Sequence, residues 1–420
     1  MAEGKLDAII FGATGYTGQV AVEHALELLK GFKWGIAGRN QPKLKDVLLK
    51  VGRQTGMDLS HIPIILADVN DQKSIESMAR KGKVIVNCCG PYQIYGDVVV
   101  KACINAGTHH VDISGEPQFF LGMQHKYDDL AREKGSYVIS TCAFESIPSE
   151  LGVLYAEKNF PGTVNSVELY WESKFKLPDK SSNAFLNVGT WKSAIHCMQH
   201  ALEILKLEKK VNKEKLPKLT PKLWMKPYSH KPEGLNGYFA PFPVADRFVV
   251  QRSQRLAYAH EKKRPIQFEM YIGFGWMILA LLYPLVLITL TILAQIGFIR
   301  KLMIKYPHIF TGGIVSNQGP QEANRKAAEF KHTLKVKGWS KGTSETEAPN
   351  KEALFRVSGK DPAYSLTATC VLLCAKVILK ESHVMPGRGG VLPPGFAFAK
   401  THLIDEISRA KWGLKFEVLK

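Results

Sequence analysis

Three glycines, Gly12, Gly15 and Gly18, follow the apolar run Ala8-Ile9-Ile10-Phe11 and precede the helix-favouring stretch Gln19 to Leu29. The pattern predicts a strand buried on both faces, a bare turn and a helix. A pyrophosphate can rest on a helix N-terminus only if that turn is tight, the backbone comes close, and helix and strand pack with no side chain between them. Glycine meets all three demands, so residues Gly12, Ala13, Thr14, Gly15, Tyr16, Thr17 and Gly18 form a candidate dinucleotide cradle. The spacing G-x-x-G-x-x-G is one residue longer than the commoner fingerprint. A glycine turn joining any strand to any helix would carry the same letters, so the context has to support the reading.

A second apolar run, Trp34 to Gly38, supplies that context, and Arg39 follows it where an acidic residue would hold the ribose hydroxyls of NAD. A guanidinium there suits a 2′-phosphate through its planar fork of donors, which favours NADP over NAD. The residues just after later strands would line the same crevice: Asp68 and Val69 beside the adenine, then Cys89, Gly90 and Pro91 under the nicotinamide end, then Ile113-Ser114-Gly115-Glu116. If a carbonyl or imine is reduced, a proton donor is needed, and Tyr92, Tyr95 and Asp112 are candidates. Cys88 and Cys89 could be nucleophiles, but without a basic partner they read better as small buried residues. His109 and His110 are neighbours in a strand, so they face opposite ways and cannot share a metal; no metal site is expected. Tyr170 and Lys174 match a Y-x-x-x-K spacing that works on a helix. The alternation Val167, Leu169, Trp171 says strand, which separates the two side chains by about 13 Å and removes the match.

The chain has 420 residues, enough for two or three domains, and 45% hydrophobic content, as a folded protein has. Its seven cysteines show neither metal-ligand nor disulfide spacing and suit a reducing compartment. The first residues lead straight into a strand with no secretory or transit pattern, so a cytosolic origin is expected. A net charge of +18 calls for an anionic partner. No nucleic-acid recognition motif accompanies the basic residues, which leaves an anionic membrane surface as the preferred one.

Strand and helix signals alternate from residue 7 to Thr141, which means parallel pairing with helical crossovers in a doubly wound sheet. Beyond Ala143 the pattern changes: a helix over Ser149 to Lys158, a half-buried strand over Thr163 to Lys176, and one long helix over Gly189 to Lys210. A lysine-rich, proline-punctuated stretch, Leu205 to Lys231, reads as an exposed loop or broken helix whose charges could face lipid headgroups. Strands over Glu329 to Val336 and Glu352 to Val357 and a helix over Tyr364 to Leu379 come later, then a rigid apolar turn at 389–396 and an amphipathic helix over His402 to Lys411. The expected domains are 1–150 (dinucleotide-binding), 151–360 (α+β, for substrate or oligomerisation) and a C-terminal segment, 361–420, returning to the first.

Inside the second domain, Tyr271 to Ile299 is free of charge for 29 residues, with basic residues on both sides. About 20 apolar residues cross a bilayer. A spanning helix, an insertion that enters and leaves on one side, and a buried soluble core are the three readings. Basic flanks at both ends give no orientation preference, and a single span would part the later segments from the domain they complete. One-sided insertion is therefore preferred.

Taken together, Phe11-Gly12-Ala13-Thr14-Gly15-Tyr16-Thr17-Gly18, Ala37-Gly38-Arg39, Asn87-Cys88-Cys89-Gly90-Pro91-Tyr92, Val111 to Phe119, Gly189-Thr190-Trp191-Lys192-Ser193 and Gly389-Gly390-Val391 resemble the saccharopine dehydrogenase-like oxidoreductase family of animals along the whole chain. The resemblance implies an α/β fold, a Rossmann doubly wound parallel sheet with a second α+β domain, and association with lipid droplets or membranes on their cytosolic face. It leaves the substrate open. A hydrophobic, lipid-type substrate fits the apolar insertion better than an amino acid does, and a homodimer is compatible with the chain. The expected activity is an NADP(H)-dependent oxidoreductase. The alternative is a lipid-surface protein that binds the nucleotide for structure or sensing without turnover.

Overall fold

The computed structural model describes residues 4–212 and 215–420, which divide into two compact units. The first comprises residues up to 144, 203–211 and 362–413; the second comprises 145–202, 212–361 and 414–420.

In the first unit, β1 (Leu6–Phe11), β2 (Trp34–Gly38), β3 (Ile64–Leu66), β4 (Gly82–Asn87), β5 (His109–Asp112) and β6 (Tyr137–Ile139) pair in the order 6-5-4-1-2-3. Every pairing is parallel, as the alternation of strands and helices requires. Beyond β6 lies a seventh strand, Gly390–Leu392, also parallel. The expected apolar turn at 389–396 is therefore partly a strand, contributed from about 250 residues away. Its entry demands glycine: Gly389 has φ +133°, and a Cβ there would stand 2.6 Å from the Ala131 carbonyl oxygen. The helix Thr367–Glu381 packs on β4, β5 and α1 (Tyr16–Leu28), with Ala368 through Ala375 no more than 1% exposed. This helix lies in the C-terminal segment and belongs to the first unit.

The second unit is a mixed six-stranded sheet. Its longest strand, β7 (Gly162–Lys174), runs parallel to Gln267–Phe274 and antiparallel to Glu329–Ser340. Lys351–Lys360 follows, and then Lys415–Val418, so the last residues of the C-terminal segment pair with this second sheet. The helices Ile147–Asn159 and Ala245–Glu261 cover it. Between them lie two buried carboxyls: Ser149 donates to Asp246, and Ser253 donates to Glu150 at 2.6 Å. Burial pushes the Asp246 carboxyl well above its ordinary range.

Two expected elements divide. The helix expected over Gly189 to Lys210 is broken: Val188–Gln199 ends at His200, whose φ and ψ (−102°, 18°) leave the helical region, and Ala201–Val211 follows. The uncharged stretch begins as sheet, Gln267–Phe274, turns at Trp276, and then forms the helices Met277–Gln295 and Gly297–Lys305. One side of Met277–Gln295 packs on Val188–Gln199, burying Ala294 with Trp191 and Ile195. Its other sides are open: Ile278, Leu281, Leu285, Val286, Ile288 and Ile292 are each about half exposed or more.

Candidate functional site

The turn after β1 has the shape that its glycines predict. Gly12 has φ +80°, and a Cβ on it would come 2.9 Å from the carbonyl carbon of Cys88. At Gly18 a Cβ would lie 2.2 Å from the Gly12 carbonyl oxygen, so strand, turn and helix approach as only bare backbone allows. Gly15 begins α1 and is exposed, while Thr14, Tyr16 and Thr17 are half-buried and Ala13 is buried.

This helix start differs from those of the next three helices of the sheet in how it is capped. Asn40 accepts from the Lys43 amide, and Asp71 accepts from the amides of Lys73 and Ser74, at the two following helices. The helix Tyr92–Asn105 is served from another element: the two carboxylate oxygens of Glu116 accept from the amides of Tyr92 (3.0 Å) and Gln93 (2.7 Å). No side chain caps α1, and its first turn holds no acidic residue. The first amides of a helix need an acceptor from outside it and carry the positive end of its dipole. The start of α1 lies at the carboxyl ends of the strands, where the glycine turn would seat two phosphates.

Arg39 is exposed directly after β2. It lies within electrostatic reach of Cys89, whose thiol also feels Asp68. Residues following β2, β3 and β4 thus gather at one edge of the sheet. Asp68 is half-buried, and its carboxylate accepts from the Asn70 amide at 3.0 Å, fixing the turn after β3. Val69 packs on the core cluster that contains Ile9 and Phe11. Gly90 and Pro91 lead into the helix that Glu116 holds, with the Cys89 amide donating to the Asn87 side chain at 3.0 Å.

Two of the three candidate proton donors are occupied elsewhere. The Tyr92 hydroxyl donates to the Asn87 carbonyl at 2.9 Å, the ring is 5% exposed, and burial raises its pKa well above the phenol range. Asp112 is fully buried. It accepts from the amides of Ser114 (3.0 Å) and Thr141 (3.1 Å) and from the Ser140 hydroxyl (2.8 Å), so it ties the ends of β5 and β6 together. Both hold backbone in place. Tyr95, half-buried one turn further along its helix, stays as the candidate.

Cys88 and Cys89 are half-buried, and neither thiol is activated. Burial pushes the Cys88 thiol up to about 12 and raises that of Cys89, an effect Arg39 only partly offsets. His109 and His110 face opposite ways: His109 Nδ1 accepts from the Tyr137 amide, while His110 Nε2 meets the Asn87 side chain at 3.3 Å. Among the described residues no group of His, Cys, Asp or Glu side chains could hold a metal. Tyr170 is fully buried in β7, within a strand as the alternation requires. Glu116 is the residue whose part the sequence conceals. It reads there as a crevice-lining loop position, because nothing local links it to an amide 24 residues earlier.

Residues 8–139 match the family described as the saccharopine dehydrogenase NADP binding domain. Over 423 residues the chain is 36% identical to the human saccharopine dehydrogenase-like oxidoreductase, covering 98% of this chain and 96% of the human one. It is 33% identical over 429 residues to the lipid droplet localized protein of Caenorhabditis elegans, covering 99% and 98% of the two chains. The solved saccharopine dehydrogenase (L-Glu forming) from Saccharomyces cerevisiae shares the fold, with a TM-score of 0.52 at 13% identity over 99% of this chain and 100% of that one. A full-length match at this identity, on a chain whose first unit has the parallel sheet and bare helix start described above, makes this protein a member of the saccharopine dehydrogenase-like oxidoreductases, with their NADP-binding domain at residues 8–139.

Proposed function

We propose that this protein is an NADP(H)-dependent reductase that acts on a hydrophobic, lipid-type substrate at a lipid surface. Gly12, Ala13, Thr14, Gly15, Tyr16, Thr17 and Gly18 receive the pyrophosphate on the uncapped start of α1. Arg39 meets the 2′-phosphate, Asp68 and Val69 border the adenine, and Cys89, Gly90 and Pro91 pass the nicotinamide. When bound, NADPH supplies the hydride. The chain's own part is to orient the coenzyme through these contacts and to offer a proton, for which Tyr95 is the remaining candidate.

The observation that carries the lipid part is the helix Met277–Gln295. Its most apolar 18 residues have a mean hydropathy of 2.5, yet only 11% of them are buried. Soluble proteins rarely leave so continuous an apolar face to water. At 1.5 Å per residue the helix is about 28 Å long, and its packing on Val188–Gln199 holds one side of it to the folded unit. One-sided insertion from the cytosolic face of a droplet or membrane suits that arrangement. The name of the worm relative points the same way.

The coenzyme assignment is tested by Arg39→Glu. A charge-assisted bond to phosphate contributes about 1.5–3 kcal/mol, so NADPH affinity should fall roughly 10- to 150-fold while NADH affinity changes little. Equal loss for both coenzymes removes the preference. A second reading, a surface protein that holds the nucleotide without turnover, is favoured by the engagement of Tyr92 and Asp112. NADPH consumption with a lipid extract supports the reductase; tight NADPH binding with no consumption across broad panels supports the second reading.

A further inference from the structure

The segment Lys215 to Lys231 contains five lysines and no acidic residue, and within it Trp224 is 71%, Tyr228 63% and Met225 41% exposed. Exposed aromatics on a loose loop would mean little, but this loop is fastened along its length. The Leu223 amide donates to Gln267 Oε1 at 2.7 Å, and Gln267 Nε2 returns a bond to the Pro221 carbonyl at 2.8 Å. Next, the Lys226 amide donates to the Tyr271 hydroxyl at 3.0 Å, and Lys226 Nζ pairs with Glu168 at 2.9 Å. Finally, Ser229 Oγ donates to the Ala280 carbonyl at 2.6 Å, in the first turns of the exposed helix Met277–Gln295. The strap and that helix therefore sit side by side, with Trp276, 74% exposed, at the helix start.

The charges divide along the strap. Lys226 is committed to Glu168, whereas Lys218, Lys222 and Lys231 are exposed and pair with no carboxylate among the described residues. Lys222 Nζ lies 3.7 Å from the centre of the Trp224 ring, so a cation and an amphipathic ring are presented as one unit. Beside Trp224 opens a groove of about 250 Å³ that also includes Lys335 and Lys337.

We propose that this strap is a headgroup contact that gives the protein its preference for anionic lipid surfaces. The inference rests on the lipid-surface reading above. With the apolar face of Met277–Gln295 in the acyl layer, Trp224 and Tyr228 lie at the level where such rings are favoured, an apolar body with a polar tip at the water boundary. Lys218, Lys222 and Lys231 then meet headgroup phosphates. The helix supplies affinity that is indifferent to charge, and the strap supplies selectivity.

The test is co-sedimentation of the full chain with phosphatidylcholine vesicles and with vesicles in which about a third of the lipid is phosphatidylserine. Wild type should bind the anionic vesicles more tightly. The triple variant Lys218→Gln, Lys222→Gln, Lys231→Gln should lose that advantage, roughly five-fold per lysine and about a hundred-fold in all, while keeping its affinity for phosphatidylcholine. Trp224→Ser should weaken binding to both vesicles with an unchanged circular dichroism spectrum. If the triple variant keeps the full anionic advantage, this proposal is overturned and the lipid-surface reading stands. Binding of wild type to neither vesicle overturns both. Release from anionic vesicles by millimolar inorganic phosphate, but not by chloride at equal ionic strength, makes the groove a site for a soluble anion and also overturns it.

Discussion

Glu116→Gln probes the contact that fixes the loop over the proposed nicotinamide end. In the wild type both carboxylate oxygens accept amides, from Tyr92 at 3.0 Å and Gln93 at 2.7 Å, in a site with no solvent exposure. Hydrogen bonds to a charged group contribute about 1.5–3 kcal/mol each. Glutamine has nearly the same shape but only one oxygen. One amide keeps an acceptor, and the other faces an NH₂ group and becomes a buried donor without a partner. The charge at the positive end of the helix Tyr92–Asn105 is lost as well. The expected cost is about 2–4 kcal/mol, and Glu116→Ala, which strands both amides, should cost more. Because the chain has two compact units, the quantity to follow is the midpoint of the denaturant transition assigned to the first unit. In parallel, mass-spectrometric hydrogen exchange should show faster exchange in the peptide covering Tyr92 and Gln93. NADPH affinity should fall too, because Gly90 and Pro91 are anchored through that helix start. An unchanged midpoint and unchanged exchange at Tyr92 and Gln93 would refute the reasoning, since neither the lost bond nor the lost charge would then have mattered.

Gly18→Ala places a Cβ 2.2 Å from the Gly12 carbonyl oxygen, so the turn must shift; we expect a loss of about 1–3 kcal/mol and at least ten-fold weaker NADPH binding by calorimetry. Its control is Gly122→Ala in the helix Pro117–Glu133, where a Cβ meets nothing within 4 Å and stability should rise by up to about 1 kcal/mol. Burial lowers the pKa of His109 to about 4 in the first unit and that of His332 to about 3 in the second, from an ordinary value of 6.5. Between those values and 6.5 the unfolded chain binds the extra proton. Each histidine therefore removes stability as pH falls below 6.5, at up to about 1.4 kcal/mol per pH unit, and none further once the folded-state pKa is passed. Denaturant midpoints compared between neutral pH and pH of about 5 should show the fall for the first unit; in the second unit, where the raised Asp246 carboxyl acts in the opposite sense, His332→Gln should lose less stability on acidification than wild type.

Much of the fold is written locally. The four apolar residues before Gly12, the glycine spacing and the position of Arg39 after the next strand specify β1, the turn, α1 and β2, because tight approach and positive φ depend on single residues and their neighbours. The alternation of strand and helix signals likewise forces parallel pairing, and the period-2 pattern around Tyr170 settles β7 as a strand. None of this needs contacts distant in the chain.

Partnerships across the chain belong to the tertiary structure alone. Tyr92 and Asp112 look like proton donors until the carbonyl of Asn87 and the group formed by Ser114, Ser140 and Thr141 are brought to them. The strand Gly390–Leu392 has too few residues to announce itself, and β6 supplies its pairing. Sharpest is the contrast between two apolar helices. Both Met277–Gln295 and the segment Pro362–Val384 are long and apolar enough to cross a bilayer, yet the most apolar window of the first is 11% buried and that of the second 83%. Hydropathy measures what a side chain gains by leaving water; whether protein or something else receives it depends on which surfaces the fold has left to cover it.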